Sequence, residues 1–310
     1  GGILIFFGFN GTSAILRGLG DSKTPLYFLI IASIANIILV ILFVGVFRWG
    51  VAGAAYATLL ANAIAFALAI WWLNKTHKLI RIAIRGLHFD RETFQQSLRI
   101  GLPTGVQQML VALGAIALLD IVNKFGTNVI AGYSVASRLD AMALIPAMSF
   151  SQALSTFVGQ NIGANKPERI KTGLIATLKM SGIVTIITTL IIVLGGHIIM
   201  SMFTNDAEVI RIGDQYLTIV SIFYITFTLM FIYSGLTRGA GDTLWPMIIS
   251  IISLWLIRIP FAWYLSGKIG AQGVWWSIPA GWTFGMVMSY LYYKTGRWKN
   301  KTVVKYADNE

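Results

Sequence analysis

Long apolar runs separated by short turns fill most of the sequence and restrict what it can fold into. A helix needs roughly 20 apolar residues to cross a bilayer, and these runs are that long or longer. Only 12% of the residues are charged, against about 25% in soluble domains. We predict an all-α membrane protein with about eight complete spans and a partial one at residues 1–16. The complete runs are Pro25–Phe47, Val51–Leu73, 98–123, 128–158, 173–202, 208–237, 245–266 and 270–293.

The content of cysteine and histidine limits the chemistry. The chain has no cysteine, so disulfides, iron–sulfur clusters and thiolate zinc sites are excluded. His77, His88 and His197 are scattered without metal-ligand spacing, and no metal or other cofactor is expected. The apolar runs contain no cluster of catalytic groups, so we do not expect an enzyme.

The positive charges are sorted between alternate loops. Of 24 lysine and arginine residues, two lie inside predicted spans and four on one side of them, which leaves 18 on the other side. The four are Arg48, Lys124, Arg211 and Lys268. Because cytoplasmic loops collect positive charge, we place the richer side, with the C-terminus, on the cytoplasmic face of the plasma (inner) membrane. The net charge of +12 then reflects topology, and no nucleic-acid partner is expected.

Residues 74–97 interrupt the apolar pattern with a basic, amphipathic sequence. Lysines and arginines alternate there with leucine and isoleucine, which is typical of a segment that lies on a membrane surface. We therefore divide the chain into residues 1–73, the connector 74–97, residues 98–293 and a cytoplasmic tail, 294–310.

A nine-residue motif occurs twice. Arg17–Pro25 reads Arg-Gly-Leu-Gly-Asp-Ser-Lys-Thr-Pro, and Arg238–Pro246, 221 positions later, reads Arg-Gly-Ala-Gly-Asp-Thr-Leu-Trp-Pro. Each copy lies between two apolar runs and is followed, one run later, by a turn that contains glycine, at Gly53 and Gly273. The internal repeat predicts that residues 1–73 and the end of the chain share one helix arrangement.

The repeat also predicts the layout of a larger protein. The second copy of the motif lies about 140 residues after the start of its unit near residue 98. A first unit of the same design would begin about 120 residues before Gly1, so we expect three whole spans and most of a fourth to precede this chain. Six spans in each unit make the two repeats parallel, with twelve spans in total and a solute path between the two bundles.

The loop that follows residues 128–158 carries a family resemblance. It reads Val158-Gly159-Gln160-Asn161-Ile162-Gly163-Ala164-Asn165-Lys166-Pro167-Glu168-Arg169. Together with the repeated motif and Gly101-Leu102-Pro103, it resembles the multidrug and toxic compound extrusion (MATE) family in its prokaryotic form. The resemblance covers nearly the whole chain and implies an antiporter with two lobes. By alternating access, Na⁺ or H⁺ would move inward while amphipathic organic compounds move out; we expect a monomer in the bilayer.

A second interpretation is a flippase for lipid-linked oligosaccharides or peptidoglycan precursors, from the same broad superfamily. The anionic pyrophosphate head group of such a cargo suits Arg138 and Arg258, the two arginines inside predicted spans. The exporter remains the first expectation, because the motifs resemble the exporters more closely.

Ion coupling requires a polar group at membrane depth, where such groups are rare because their burial is costly. Asp140 is the most deeply placed carboxylate and the first candidate. In many prokaryotic MATE proteins an asparagine in the fifth helix precedes an aspartate by four residues, and a threonine lies nearby. Asn36 and Thr58 match that pattern, but Val40 stands at the aspartate position. The resemblance thus adds Asn36 and Thr58 as candidates and leaves the choice between Na⁺ and H⁺ open.

Other polar side chains within the spans are candidates for a substrate cavity. Tyr133 and Ser137 share a helix face with Asp140, at i, i+4 and i+7. The alternative for this group is a buried structural ion pair with neighbouring helices. The cavity candidates are Tyr133, Ser137, Gln107, Gln108, Arg138 and Arg258.

The repeated motif has a structural interpretation. Its glycines allow a helix to end in a left-handed turn, and the proline opens the next helix. The alternative is that the turns also help to gate the cytoplasmic side. The residues given this structural role are Arg17, Gly18, Gly20, Asp21, Arg238, Gly239, Gly241 and Asp242, with Gly159 and Gln160 of the loop.

Overall fold

The computed structural model describes residues 2–76 and 89–301, and within these ranges every element is helical. The α-helices are α1 (Ile3–Gly18), α2 (Lys23–Val40), α3 (Gly50–Thr76), α4 (Arg91–Asn123), α5 (Thr127–Gly163), α6 (Glu168–Ser201), α7 (Ala207–Ser221), α8 (Tyr224–Gly239), α9 (Leu244–Ile251), α10 (Ile259–Ile269) and α11 (Ala271–Thr295). A π-helical segment, Ile41–Val46, continues α2, and a second, Ile252–Arg258, joins α9 to α10. A short 3-10 helix, Arg297–Lys301, follows α11.

Most of these helices are suited to cross a membrane. Among the described residues, six spans are long and apolar enough, and a seventh is counted if α7 and α8 form one bent helix. α11 has 25 residues, which is long enough, but it is not among these six spans. The all-α membrane fold predicted from the apolar runs is confirmed.

The predicted run 208–237 is broken in the structure. α7 and α8 meet at an angle of 50°. At the break, the Thr189 hydroxyl of α6 donates a hydrogen bond to the Ser221 carbonyl oxygen, 3.1 Å away. When a side chain donates a hydrogen bond to a main-chain carbonyl oxygen, it interrupts the i→i−4 hydrogen bonds of the helix. The bend is therefore supported by a neighbouring helix.

The helices also extend into the predicted connector 74–97. α3 continues to Thr76, and α4 begins at Arg91. The first turns of α4 are mostly exposed, so water can solvate the main-chain groups at its start. The middle of the connector, residues 77–88, lies outside the described residues, as does the tail after residue 301.

Gly1–Asp90 forms one compact unit. Within it, α3 packs along both α1 and α2. The contact face of α3 carries a buried alanine at every fourth position: Ala57, Ala61, Ala65 and Ala69. Small side chains let helix backbones approach closely, and this provides packing in lipid, where the hydrophobic effect does not hold helices together.

Arg91–Glu310 forms the second unit. α5 lies at its centre and packs against α6, α7 and α8, while α11 packs against α8 and α10. α5 and α8 approach closely, because Gly235 faces main-chain atoms of Ser151 and Gly239 faces those of Ser155. α5 is therefore the helix against which α6, α7 and α8 all pack.

The two units repeat one arrangement. In the first, α3 packs on α1 and α2, which touch each other little. In the second, α11 packs on α8 and α10, and α8 makes few contacts with α9. This agreement supports the internal repeat that the duplicated motif predicts.

Candidate functional site

Asp140 lies within α5, about 20 Å along the helix axis from its first residue. Its side chain is buried, with 8% of its surface exposed. The Tyr216 hydroxyl of α7 donates a hydrogen bond to Asp140 Oδ2 at 3.3 Å. Asp140 Oδ1 is buried and has no hydrogen-bond partner among the described residues. Tyr216 thus holds one carboxylate oxygen in place, while the other makes no hydrogen bond to a described residue.

Aromatic rings pack beside this carboxylate. The Tyr133 ring stacks on Trp275 of α11 with centroids 5.4 Å apart. The Tyr216 ring meets both edge-on, at 5.6 Å from Tyr133 and 5.1 Å from Trp275. Tyr224 of α8 also lies near Asp140, but its buried hydroxyl does not reach hydrogen-bond geometry with any described residue. We call Tyr133, Tyr216, Tyr224 and Trp275 the aromatic cluster.

Arg258 brings the opposite charge to this region. It is the last residue of the π-helical segment Ile252–Arg258 and interacts electrostatically with Asp140, Tyr133 and Tyr216. Its Nε atom is buried without a hydrogen-bond partner in the described part of the chain. A buried cation near a buried carboxylate offsets part of its charge, so Arg258 affects how strongly Asp140 attracts a proton or a metal ion.

Contacts with neighbouring helices hold the π-helical segment that carries Arg258. The Ser253 hydroxyl donates to the Gly281 carbonyl oxygen of α11 at 2.5 Å. Trp255 Nε1 donates to the Leu110 carbonyl oxygen of α4 at 3.2 Å. π-Helical turns are frequent at functional sites, and here one connects α4 and α11 to the buried arginine.

The other cavity candidates lie elsewhere. Arg138 is exposed on α5, and Gln108 is exposed on α4. The Ser137 hydroxyl donates to the Ser134 carbonyl oxygen of its own helix at 3.2 Å. Gln107 Nε2 donates to the Ser250 hydroxyl of α9 at 2.6 Å. Of the residues predicted for the cavity, the structure brings Tyr133 and Arg258 to Asp140.

Three members of the cluster were not among the predicted site residues: Tyr216, Tyr224 and Trp275. Their signal in the sequence is weak, since tyrosine and tryptophan also form the aromatic belts at membrane interfaces. One clue is that buried tyrosine hydroxyls normally find a polar partner. Tyrosines in the middle of the predicted run 208–237 therefore pointed to a polar group on another helix.

Asn36 and Thr58 meet in the first unit. Asn36 Nδ2 donates to the Thr58 hydroxyl at 3.2 Å, and that hydroxyl donates to the Ala54 carbonyl oxygen at 3.0 Å. Val40 lies one helical turn after Asn36 and is partly buried. This pair joins α2 to α3 through neutral groups. In residues 2–76 and 89–301, His, Cys, Asp and Glu side chains form no group of three or more suited to a metal ion.

The two motif turns have nearly identical main chains. Gly20 has φ 91° and Gly241 has φ 90°. The Asp21 amide donates to the Leu16 carbonyl oxygen at 3.0 Å, and the Asp242 amide donates to the Thr237 carbonyl oxygen at 3.0 Å. Each glycine thus ends a helix in the left-handed region, as the motif predicts.

The side chains of the motif make different contacts in the two copies. Asp21 Oδ1 accepts a hydrogen bond from the Thr24 amide at 3.0 Å, at the start of α2. Asp242 is buried and accepts a hydrogen bond from the Tyr292 hydroxyl of α11. Arg17 is partly buried, and Arg238 Nη2 lies 3.4 Å from the Ser151 hydroxyl of α5.

Gly159 and Gln160 are helical, which differs from the predicted turn. α5 continues through both to Gly163, and the turn comes later, where Asn165 has φ 53°. A Cβ atom at Gly159 would lie 3.4 Å from the Gly239 carbonyl oxygen, and Ile162 is buried. Packing against α8 therefore keeps this stretch helical despite its glycines.

Comparison with known proteins identifies relatives along almost the whole chain. The protein named probable multidrug resistance protein YpnP, from Bacillus subtilis (strain 168), is 36% identical over 298 residues, which are 96% of this chain and 66% of the relative. Probable multidrug resistance protein YoeA of the same strain is 33% identical over 302 residues, 94% of this chain and 65% of the relative. The chain thus spans about two thirds of the length of the relatives it matches.

Solved structures and a family model agree with these relatives. A crystal structure of MATE in the bent conformation superposes with a TM-score of 0.89 at 23% identity, covering 98% of this chain and 68% of the other. That similarity concerns the fold. The MatE family model matches residues 103–264, which is more than half of the chain. The resemblance inferred from the motifs is confirmed: the chain belongs to the MatE family.

Proposed function

We propose that the protein is a secondary active exporter that moves amphipathic organic compounds out of the cell in exchange for Na⁺ or H⁺. Its family, the relatives named probable multidrug resistance proteins and the set of spanning helices support this function. Since the chain spans 66% of the YpnP relative, the activity is proposed for the protein as a whole.

Asp140 is the proposed coupling group, and its half-satisfied carboxylate is the observation that carries the proposal. Tyr216 orients one oxygen, and the other is buried with no partner in the described residues. Arrival of a proton or Na⁺ at that oxygen would neutralise the carboxylate and change its attraction to Arg258. Asp140 lies on α5 and Arg258 on the π-helical segment. A change in the attraction between them is a local event that can bias a larger rearrangement of the helices.

The test is transport by the full-length protein in proteoliposomes. Asp140→Asn removes the charge but keeps the shape, so dye uptake driven by an imposed Na⁺ or pH gradient should fall to the level of empty vesicles. Asp120→Asn is the matched control, because Asp120 is exposed at the end of α4, and its uptake should be unchanged. Uptake by Asp140→Asn at the original rate would remove Asp140 from coupling. The gradient that drives transport identifies the ion.

The proposal also covers the second lobe, the oligomeric state and the membrane topology. We propose that a second lobe, to which residues 1–73 belong, alternates with residues 98–293 between inward and outward access. Asn36 and Thr58 are a secondary candidate for ion binding, through a hydroxyl and an amide oxygen. We further propose a monomer in the plasma membrane with a cytoplasmic C-terminal tail, supported by the excess of lysine and arginine on that side.

A flippase for a lipid-linked precursor is the second candidate, and Arg258 favours it. A buried guanidinium with an unpartnered Nε suits a phosphate or pyrophosphate, whereas it repels a cationic drug. With a fluorescent lipid-linked pyrophosphate in liposomes, Arg258→Gln should abolish translocation if the cargo is anionic, and Arg258→Lys should retain part of it. An exporter of organic cations should instead still transport cations with Arg258→Gln, with a changed dependence on pH or Na⁺ concentration because Asp140 loses a neighbouring positive charge.

A further inference from the structure

A cavity of about 440 Å³ opens between the last turns of α4 and α10. Its wall includes Ile121 from the last turn of α4, Lys124 and Phe125 from the turn that follows α4, and Trp263, Tyr264 and Lys268 from α10. The volume falls within the range of small-molecule sites, roughly 300–1,000 Å³. The cavity shares no residue with the Asp140 site, so it calls for its own explanation.

Two lysines line the cavity, in a region where positive charge is rare. Lys124 and Lys268 are two of the four cations that the charge pattern assigns to this side of the spans. Both are exposed, and Asp120, one helical turn before Lys124, is not among the residues lining the cavity. The convergence of half of these cations on one cavity points to an anionic occupant.

The position of the cavity along the helices indicates the membrane interface. α4 and α10 both end there, whereas α5 and α8 end at the opposite end of the unit, where Gly159 faces the Gly239 carbonyl oxygen. Trp263 is 67% exposed and Tyr264 is 58% exposed. Exposed tryptophan and tyrosine at the end of a span are typical of the layer of lipid headgroups.

A simpler interpretation is that each lysine only stabilises the C-terminus of its helix. A helix C-terminus carries roughly half a negative charge, so two of them amount to about one negative charge. Two ammonium groups exceed that by about one positive charge, which is available to a ligand. Stabilisation of helix ends also gives no reason for a cavity between the lysines with apolar walls at Ile121 and Phe125.

We propose that this cavity binds the headgroup phosphate of an anionic phospholipid from the leaflet at this end of the spans. Lys124 and Lys268 hold the phosphate from two sides. Trp263 and Tyr264 pack beside the glycerol region, and Ile121 and Phe125 contact the first part of an acyl chain. The same lysines would attract inorganic phosphate from solution, but the apolar and aromatic walls favour a lipid.

The test measures lipids retained by the purified full-length protein in native mass spectrometry. The protein is mixed with equal amounts of phosphatidylglycerol and phosphatidylcholine. The original protein should retain phosphatidylglycerol in preference, and Lys124→Gln with Lys268→Gln should lower its retention about threefold to tenfold. Retention of phosphatidylcholine should not change. Because both lysines are exposed, the unfolding midpoint of the double variant without lipid should equal that of the original protein. If the double variant fails to fold, each single variant is measured instead, and each should lower phosphatidylglycerol retention by a smaller factor than the double variant.

Two controls separate this site from general charge attraction. Lys124→Arg with Lys268→Arg keeps the charges and should keep the preference. Arg211→Gln removes another cation from the same side and should leave it unchanged. Equal phosphatidylglycerol retention by the double glutamine variant would overturn the proposal. Displacement of phosphatidylglycerol by inorganic phosphate at equal concentration would overturn the lipid assignment and identify a site for free anions.

Discussion

The turn at Arg17–Asp21 and the turn at Arg238–Asp242 have the same main chain and different surroundings. Both end a helix with a glycine near φ 90° and the same pattern of hydrogen bonds. In the first copy, Asp21 accepts a hydrogen bond from the Thr24 amide at the start of α2. The second buries its aspartate against α11. The motif therefore specifies the main-chain turn, and the neighbouring helices decide what its side chains do.

The first glycine of the motif, Gly18 or Gly239, shows the same contrast in steric terms. A Cβ atom at Gly239 would overlap main-chain atoms of Ser155 on α5. A Cβ atom at Gly18 would meet nothing within 4 Å among the described residues. Gly239 is needed for the close packing of two helices, whereas a Cβ atom at Gly18 meets no obstacle among the described residues.

The largest expected effect is a difference between these two glycines. In the 310-residue chain, Gly239→Ala should reduce the free energy of unfolding by about 3 kcal/mol, because the Ser155 main chain cannot move away without separating α5 from α8. Gly18→Ala is the matched control and should change it by less than about 0.5 kcal/mol. Unfolding in mixed detergent micelles measures both. Equal effects would show that the two turns are packed alike.

A smaller effect is expected from the buried aspartate. Tyr292→Phe removes the hydroxyl that donates to Asp242, and a buried carboxylate that loses a partner should destabilise the second unit by about 2 kcal/mol. Tyr290→Phe is the control, because Tyr290 lies two residues earlier on α11 and is 37% exposed. The same unfolding measurement applies. If Tyr292→Phe and its control changed the free energy of unfolding equally, the contact between Tyr292 and Asp242 would not contribute to stability.

The smallest effect should be the same in both copies. Gly20→Ala and Gly241→Ala each place a Cβ atom at a φ near 90°, which should destabilise by about 1 kcal/mol in each turn. The expected result is therefore equality, measured by the shift of the unfolding midpoint of each variant. A clear difference between the two would contradict the shared main chain on which the comparison depends.

The sequence predicted the elements that local chemistry determines. The apolar runs predicted the spans, and the glycine of each motif copy predicted a helix end. Both features depend on residues that are close together in the chain. The burial of Asp140 was predicted for a similar reason, since a carboxylate within an apolar run is rare whatever surrounds it. The hydrogen bond between Asn36 and Thr58 agrees with the family resemblance, which predicted that the two residues lie close together.

The elements that the sequence did not predict depend on other helices. The bend between α7 and α8 involves Thr189 of α6, and the helical state of Gly159 involves Gly239 of α8. Tyr216 and Trp275 reach Tyr133 from two further helices. The exposure of Arg138, two residues before Asp140, follows from which face of α5 its neighbours cover. None of these contacts leaves a periodic signal in a single chain.

The π-helical segment before α10 has a consequence for any helical wheel drawn from the sequence. A wheel assumes 100° per residue, and each residue inserted by a wider turn shifts everything after it by about that angle. Arg258 is the last residue of Ile252–Arg258, so its azimuth differs from the one that an uninterrupted helix starting at Leu244 would give. Arg258 interacts electrostatically with Asp140 from this shifted position, so a wheel that ignores the segment misjudges which residues of α10 share its face.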